Sequence, residues 1–233
     1  MLTSTKASRM RFLSALVACV ALLAGVRTAQ AAPEFSQWKA FTIGVEDFTG
    51  YESRSVDYND AGGEHIEQTR SRLALALTGG STKLGVHYFV IPHLSVGAFV
   101  GFESSPASTT THLPGESQTN RLPTGSRALI APRVGYALMF RPSIGVWFRA
   151  GIGYERTKYR IDEVSSGRDS FGLFSGDILL LWSPVPCFAL SLGPTADLSF
   201  TGSHNERDAE RRSWSNSASM QRLAMMVGLH GYF

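Results

Sequence analysis

Charged residues recur at every second position in stretches of this 233-residue chain that are otherwise apolar. Glu103, Arg133, Arg149, Glu155, Asp177, Asp197 and Arg222 each fall in register opposite an apolar set of side chains. Alternation at period two sends one set to each face of a β-strand. An ion taken out of water is costly unless a counter-ion meets it. Both signs on one face therefore predict ion pairs across an enclosed space. Such a cluster has two uses: a structural network that fills an interior, or a polar conduit or proton relay.

The remaining reactive residues are scattered. His65, His87, His93, His112, His204 and His230 show no spacing suited to a metal-ligand pair. Asp57, Asn59, Asp60 and Gly62 begin like a calcium loop, but Ala61 and Gln68 stand where acids or amides are needed. Ser203 beside His204 is the one pair that suggests a hydrolase acting on lipid; its competing reading is the polarity of a solvated loop. No catalytic, metal or cofactor site is expected, and the chain is not expected to be an enzyme.

The charges need elements to position them, and the first element is a leader. Residues 1–31 have a cationic start (Lys6, Arg9, Arg11), an uncharged apolar run over 12–26, and the small-x-small triplet Ala29, Gln30, Ala31. That is the pattern of a secretory signal peptide. The apolar run is too short for a helical membrane span. A second reading takes Leu16, Val17, Ala18 and Cys19 as a lipoprotein box, although the apolar run continues past Cys19 to Val26. The leader holds Lys6, Arg9, Arg11 and Arg27 and no acid. Of the chain's 22 cationic and 19 acidic side chains, 18 and 19 then remain, a net charge of −1. The basic balance of the whole chain thus belongs to the leader, and a nucleic-acid partner loses its support. One cysteine, Cys187, remains beyond the leader, so no internal disulfide is expected.

Residues 32–233 suit one domain. Eight strand-like segments are predicted, at about 38–51, 83–90, 93–103, 127–140, 144–156, 170–182, 187–201 and 220–233. Short connections carrying Pro92, Pro142, Pro184 and Pro186 alternate with long polar ones at 52–82, 104–126, 157–169 and 202–219. Proline pre-sets a turn and blocks strand continuation. A segment at 69–77 also alternates, in a different phase, and reads as an extension of the first hairpin. Aromatics gather at both ends of the segments: Phe140, Trp182, Phe188 and Phe233 by the short turns, Tyr51, Phe102, Tyr154 and Phe200 by the long connections. Glycines at 97, 101, 135, 151, 153 and 193 share the charged face, where large inward side chains need room. These features predict an all-β fold: an eight-stranded antiparallel up-and-down transmembrane β-barrel with short periplasmic turns and long extracellular loops.

The stretches Ala131 to Tyr136, Trp147 to Gly153 and Ser183 to Pro194 resemble small outer-membrane β-barrel proteins of the OmpA/OmpX-like type, and the pattern covers about 81–233. The last strand, with Leu223, Met225, Val227, Leu229 and Phe233 on one face, resembles the assembly signal of such barrels; Gly231 departs from it. The resemblance carries over no functional residue. Together these readings imply a monomer in the cell outer membrane with a structural or surface-interaction role and a filled lumen. Its partners would be outer-membrane lipid, the barrel-assembly machinery during biogenesis and an extracellular ligand of the loops. The alternatives are an outer-membrane lipid-modifying enzyme and a soluble periplasmic barrel that binds a small apolar ligand, its apolar faces turned inward. Amino-terminal sequencing of the membrane-fraction protein is expected to read from Ala32; a chain beginning at a lipidated Cys19 would overturn the leader assignment.

Overall fold

The computed structural model describes residues 35–37, 39–59, 65–75, 82–105, 109–113, 116–120, 124–160, 166–207 and 213–233. The expected leader and Cys19 lie outside them. The alternating segments form strands, eleven among the described residues: β1 (Phe41–Asn59), β2 (His65–Leu75), β3 (Thr82–Ile91), β4 (Leu94–Ser105), β5 (Thr109–Leu113), β6 (Glu116–Asn120), β7 (Thr124–Arg141), β8 (Ile144–Arg160), β9 (Ser166–Val185), β10 (Phe188–Arg207) and β11 (Ser213–Tyr232). Neighbours pair antiparallel in the order β11, β10, β9, β8, β7, β4, β3, β1, and β1 returns to β11. The sheet is a closed, eight-stave, up-and-down barrel.

Two strands share one stave. β1 pairs with β3 from Phe41↔Tyr88 to Glu46↔Lys83, then with β2 from Thr49↔Leu75 to Asn59↔His65. Of the segment at 69–77, residues 69–75 belong to β2 and extend the first hairpin, while 76 and 77 lie outside the described residues. At the changeover three residues of β1 oppose one of β11, between Val45↔Leu229 and Thr49↔Val227. The surplus is two residues, an even number, so facing is conserved through this bulge. Tyr51 still points out, as Ile43 does, and Glu52 still points in, as Glu46 does. β5 and β6 form a separate hairpin.

The turns at 92–93, 142–143 and 186–187 each open with a proline. In two of them the second residue, His93 or Cys187, has a φ of 71°, a conformation more often given to glycine. The third turn lies later than the sequence suggests. Ser183 Oγ donates to the Phe188 carbonyl at 2.8 Å, and β9 continues past Pro184 to Val185. The long polar connections are also mostly strand. β8 runs to Arg160 and β9 starts at Ser166; β10 runs to Arg207 and β11 starts at Ser213. Apolar periodicity stops where the outward face of a stave turns polar above the belt, but backbone pairing does not.

Facing follows the predicted alternation. Val96, Val100 and Phe102 on β4, Ile130, Val134 and Tyr136 on β7, and Ile178, Leu180 and Trp182 on β9 are exposed on the outer wall. Phe140, Trp182 and Phe233 mark its lower edge, and Tyr51, Phe102, Tyr154 and Phe200 its upper edge, all exposed, with Phe188 half-buried. This orientation is the reverse of what a soluble barrel holding an apolar ligand requires. Inside lie two apolar clusters. Phe35, Phe89, Trp147, Leu179, Leu181 and Tyr232 fill the end by the short turns. Phe99, Leu129, Phe171, Leu173 and Met220 pack further up.

The seam between β1 and β11 ends in a reciprocal pair. Phe41 N–H donates to the Phe233 carbonyl at 2.8 Å, and Phe233 N–H to the Phe41 carbonyl at 3.0 Å. The two rings lie 5.4 Å apart. Removing Phe233 takes away both bonds and the ring contact at the point of closure. Deleting it is expected to lower the yield of heat-modifiable, folded barrel more than it lowers export; equal folded yield would show that this rung is dispensable.

Candidate functional site: the lumenal ion-pair network

Seven sequence-predicted residues point into the barrel and are buried: Glu103, Arg133, Arg149, Glu155, Asp177, Asp197 and Arg222. The structure divides them between two clusters. The lower one centres on Arg149 of β8. Its Nε lies 2.7 Å from Asp177 Oδ1 and its Nη2 3.1 Å from Asp177 Oδ2. The other edge of the same guanidinium meets Glu46, with Nη1 2.5 Å from Oε1 and Nη2 3.1 Å from Oε2. One planar fork thus clamps two carboxylates from two other strands, a geometry an ammonium cannot reproduce. Asp177 also accepts from Arg133, which in turn meets Ser175. Ser175 donates to Asp197, and Asp197 pairs with Arg222. The chain of contacts runs across β1, β8, β9, β7, β10 and β11.

The upper cluster centres on Arg127 of β7. Its Nη2 lies 2.5 Å from Glu155 Oε2, and its Nη1 lies 3.3 Å from Glu52 Oε1 and 3.6 Å from Glu103 Oε2. Arg54 Nη2 reaches the second oxygen of Glu155 at 2.8 Å. Aromatic faces cover the lower cations: the Arg133 guanidinium sits 4.1 Å from the Phe99 ring, and Arg149 4.6 Å from Trp147. Such contacts stabilise a cation that has lost its water.

Glycine makes the space. A Cβ on Gly135 would fall 2.5 Å from Trp147 Nε1 and 3.1 Å from Arg149 Cγ. One on Gly85 would fall 2.0 Å from Glu46 Oε1. The remaining glycines of the charged face, Gly97, Gly101, Gly151, Gly153 and Gly193, line the same strands. The mouth by the short turns is closed by Phe35, fully buried, whose ring lies 5.2 Å from Trp147, 5.4 Å from Tyr232 and 5.8 Å from Phe89.

Sequence reasoning missed Glu46, Glu52, Arg54, Arg127 and Phe35. Arg127 and Glu46 were within reach, since each continues the inward register of a predicted strand. Glu52 and Arg54 sat in what read as a loop. Phe35 lies outside any strand, and periodicity gives it no signal. The terminal-strand residues Leu223, Met225, Val227, Leu229 and Phe233 share the outer face of β11, with Leu223, Met225 and Phe233 exposed.

The other sequence candidates do not converge. Ser203 and His204 are consecutive in β10 and so point to opposite faces. His204 is buried and faces inward, 2.8 Å from Asp169 Oδ1 and stacked on Tyr58 at 3.9 Å; it is not solvated loop polarity. Asp57 and Asn59 belong to a paired strand, and Asp60, Ala61 and Gly62 lie outside the described residues. Among the described residues no three His, Cys, Asp or Glu side chains are placed to hold a metal.

The architecture is similar to that of the outer membrane protein OprG from Pseudomonas aeruginosa, at 10% identity and a TM-score of 0.53, over 85% of this chain and 98% of that one. Also similar are a major outer membrane protein from Thermus thermophilus (15% identity, TM-score 0.47, 83% of this chain and 99% of that one) and Neisserial surface protein A (9% identity, TM-score 0.46, 83% and 99%). No family model matches the sequence, and the search of curated proteins gives no match. The fold is that of the small outer-membrane β-barrels. A closed barrel with an apolar outer belt and its ions turned inward is at home in lipid, which places this chain in the outer membrane.

Arg149→Glu puts a third carboxylate between Asp177 and Glu46 and removes their shared cation. It is expected to destabilise the barrel by on the order of 3–5 kcal/mol. Arg149→Lys keeps the charge and loses the fork, and should cost less. Urea unfolding followed by gel mobility measures both; a glutamate variant as stable as its parent would show that the network carries no stability.

Proposed function

We propose that this barrel is a structural and surface-interaction protein of the outer membrane whose lumen is filled. The observation that carries the reading is the double blockade of the interior. The Arg149 and Arg127 clusters each tie together strands from different sides of the barrel, and Phe35 packs into the mouth below them. An eight-stave barrel has an interior just wide enough for side chains, and these side chains use it. Unlike a conduit, whose charges must exchange partners to pass an ion, this network holds each guanidinium against fixed carboxylates.

What is left for function is the outside. The staves continue well above the upper aromatic edge, to Asn59, Arg160 and Arg207 at the ends of β1, β8 and β10. They carry polar side chains there, a surface for an extracellular ligand. A monomer suffices for this role, because the eight spanning staves close on themselves where β1 meets β11. The lipid-modifying alternative requires a serine and a histidine on one surface near a rim, and Ser203 and His204 face opposite ways.

Planar-bilayer recording of the purified full chain tests the reading. No steady conductance is expected from the parent protein. Phe35→Ala should admit brief openings at most, since the ion-pair clusters remain. A large, stable conductance in the parent would overturn the filled-lumen role.

A further inference from the structure

Most outward positions above the upper aromatic edge are small or neutral. β1 presents Ser53 and Ser55, then Asp57; β11 presents Gln221, Ser219, Ser217 and Ser215. The wall of β8 and β9 differs. Above Tyr154 the outward column of β8 continues with Arg156 and Lys158, and above Phe174 that of β9 continues with Ser170 and Arg168. Lys158 and Arg168 are direct register partners, both exposed on the same face. Like charges placed directly opposite destabilise a sheet. The lumenal arginines all meet carboxylates, yet among the described residues no acid pairs with Arg156, Lys158 or Arg168. An anion lying between them would offset the repulsion.

The same wall holds an apolar groove lower down. Ala150, Gly176 and Ala196 are cross-strand neighbours on β8, β9 and β10 and form its floor; Val134, Phe148 and Leu223 stand at its rims. Its volume is about 580 Å³. Arg156 lies six residues beyond Ala150 on β8. That is roughly 20 Å along the strand, or roughly 15 Å along the membrane normal at the usual tilt, half of a ~30 Å hydrocarbon core. The cations thus sit at headgroup height and the groove near the bilayer midplane, one leaflet apart.

We propose that this wall is a binding site for a phosphorylated, multiply acylated glycolipid of the outer leaflet, of the lipopolysaccharide class. Its phosphates lie among Arg156, Lys158 and Arg168, and one acyl chain reaches the groove over Ala150, Gly176 and Ala196. The cations occupy two rows, Arg156 in one and the Lys158–Arg168 pair in the next. Two rows suit a headgroup with two phosphates better than the single phosphate of a glycerophospholipid. Tyr154 and Phe174, both exposed, lie between the rows and the groove, at the depth where aromatic rings meet the polar region of a membrane. The inference rests on the outer-membrane placement of the barrel.

The test refolds the full chain in neutral detergent and titrates in diphosphoryl lipid A, monophosphoryl lipid A or phosphatidylglycerol, reading bound lipid by native mass spectrometry. Heat-dependent gel mobility checks folding of every protein used. The parent should retain diphosphoryl lipid A over phosphatidylglycerol, with the monophosphoryl form between them. The triple variant Arg156→Ala, Lys158→Ala, Arg168→Ala should fold and bind diphosphoryl lipid A on the order of tenfold to a hundredfold more weakly. Ala150→Phe, which fills the groove and leaves the cations alone, should weaken lipid A binding and erase any preference for long acyl chains over short ones. A folded triple variant that binds as the parent does, or a folded parent that binds phosphatidylglycerol equally well, overturns the site while leaving the barrel intact. A parent that gains no heat-modifiable fold in detergent or lipid overturns both the site and the membrane placement.

Discussion

The rest of the molecule depends on the fork of Arg149 between Asp177 and Glu46. It joins β8 to its neighbour β9 and, across the lumen, to β1, the strand on which the barrel closes. In lipid the outer face must be apolar, so the lumenal ions of the network turn inward on the membrane-spanning stretches. The inner space of eight staves has little room for water, so each inward ion needs a protein counter-ion. The positions of Gly135 and Gly85 follow from this, since each vacates the volume that the fork and its carboxylate occupy. So does the placing of Trp147 and Phe99, whose ring faces cover guanidinium groups that the carboxylates leave open.

Period two made much of this legible. It gave the barrel, the outward belt and the inward set Glu103, Arg133, Arg149, Glu155, Asp177, Asp197 and Arg222, because facing in a strand depends only on parity. It could not give the partners. Arg149 meets Glu46, 103 positions away, and Arg54 meets Glu155, 101 positions away. Those separations depend on how the staves are staggered, which parity does not encode. Nor could it show strands beyond the belt. At 52–59 and 203–207 the outward face is polar, so the hydrophobic alternation vanishes while the backbone ladder continues. Phe35 was illegible for a simpler reason. It packs by shape against Phe89, Trp147 and Tyr232, and no repeat announces a single anchor.

The first hairpin shows how the barrel tolerates irregularity. β2 and β3 meet β1 at different heights, and β1 bulges where the handover occurs. Had the surplus in β1 been one residue, Glu52 and Arg54 would have faced lipid and Tyr51 the lumen. A surplus of two keeps the parity, and the Arg127 cluster above the bulge receives its Glu52 from the same strand that supplies Glu46 below it. Parity, rather than strict regularity of pairing, is the property under constraint.

The two surfaces of the barrel consequently treat charge in opposite ways. Inside, Arg54, Arg127, Arg133, Arg149 and Arg222 are each held by Glu46, Glu52, Glu103, Glu155, Asp177 or Asp197, and an ion so held is not available to a ligand without breaking a pair in a confined space. Outside, Arg156, Lys158 and Arg168 stand together without such partners among the described residues, at the height where a membrane is itself anionic. Internal pairing is what makes that difference informative. A barrel with loose lumenal charge would present a mixed field at its rim, whereas this one presents the field of its outer wall. The recognition chemistry of the molecule thus falls to side chains that play no part in holding it together.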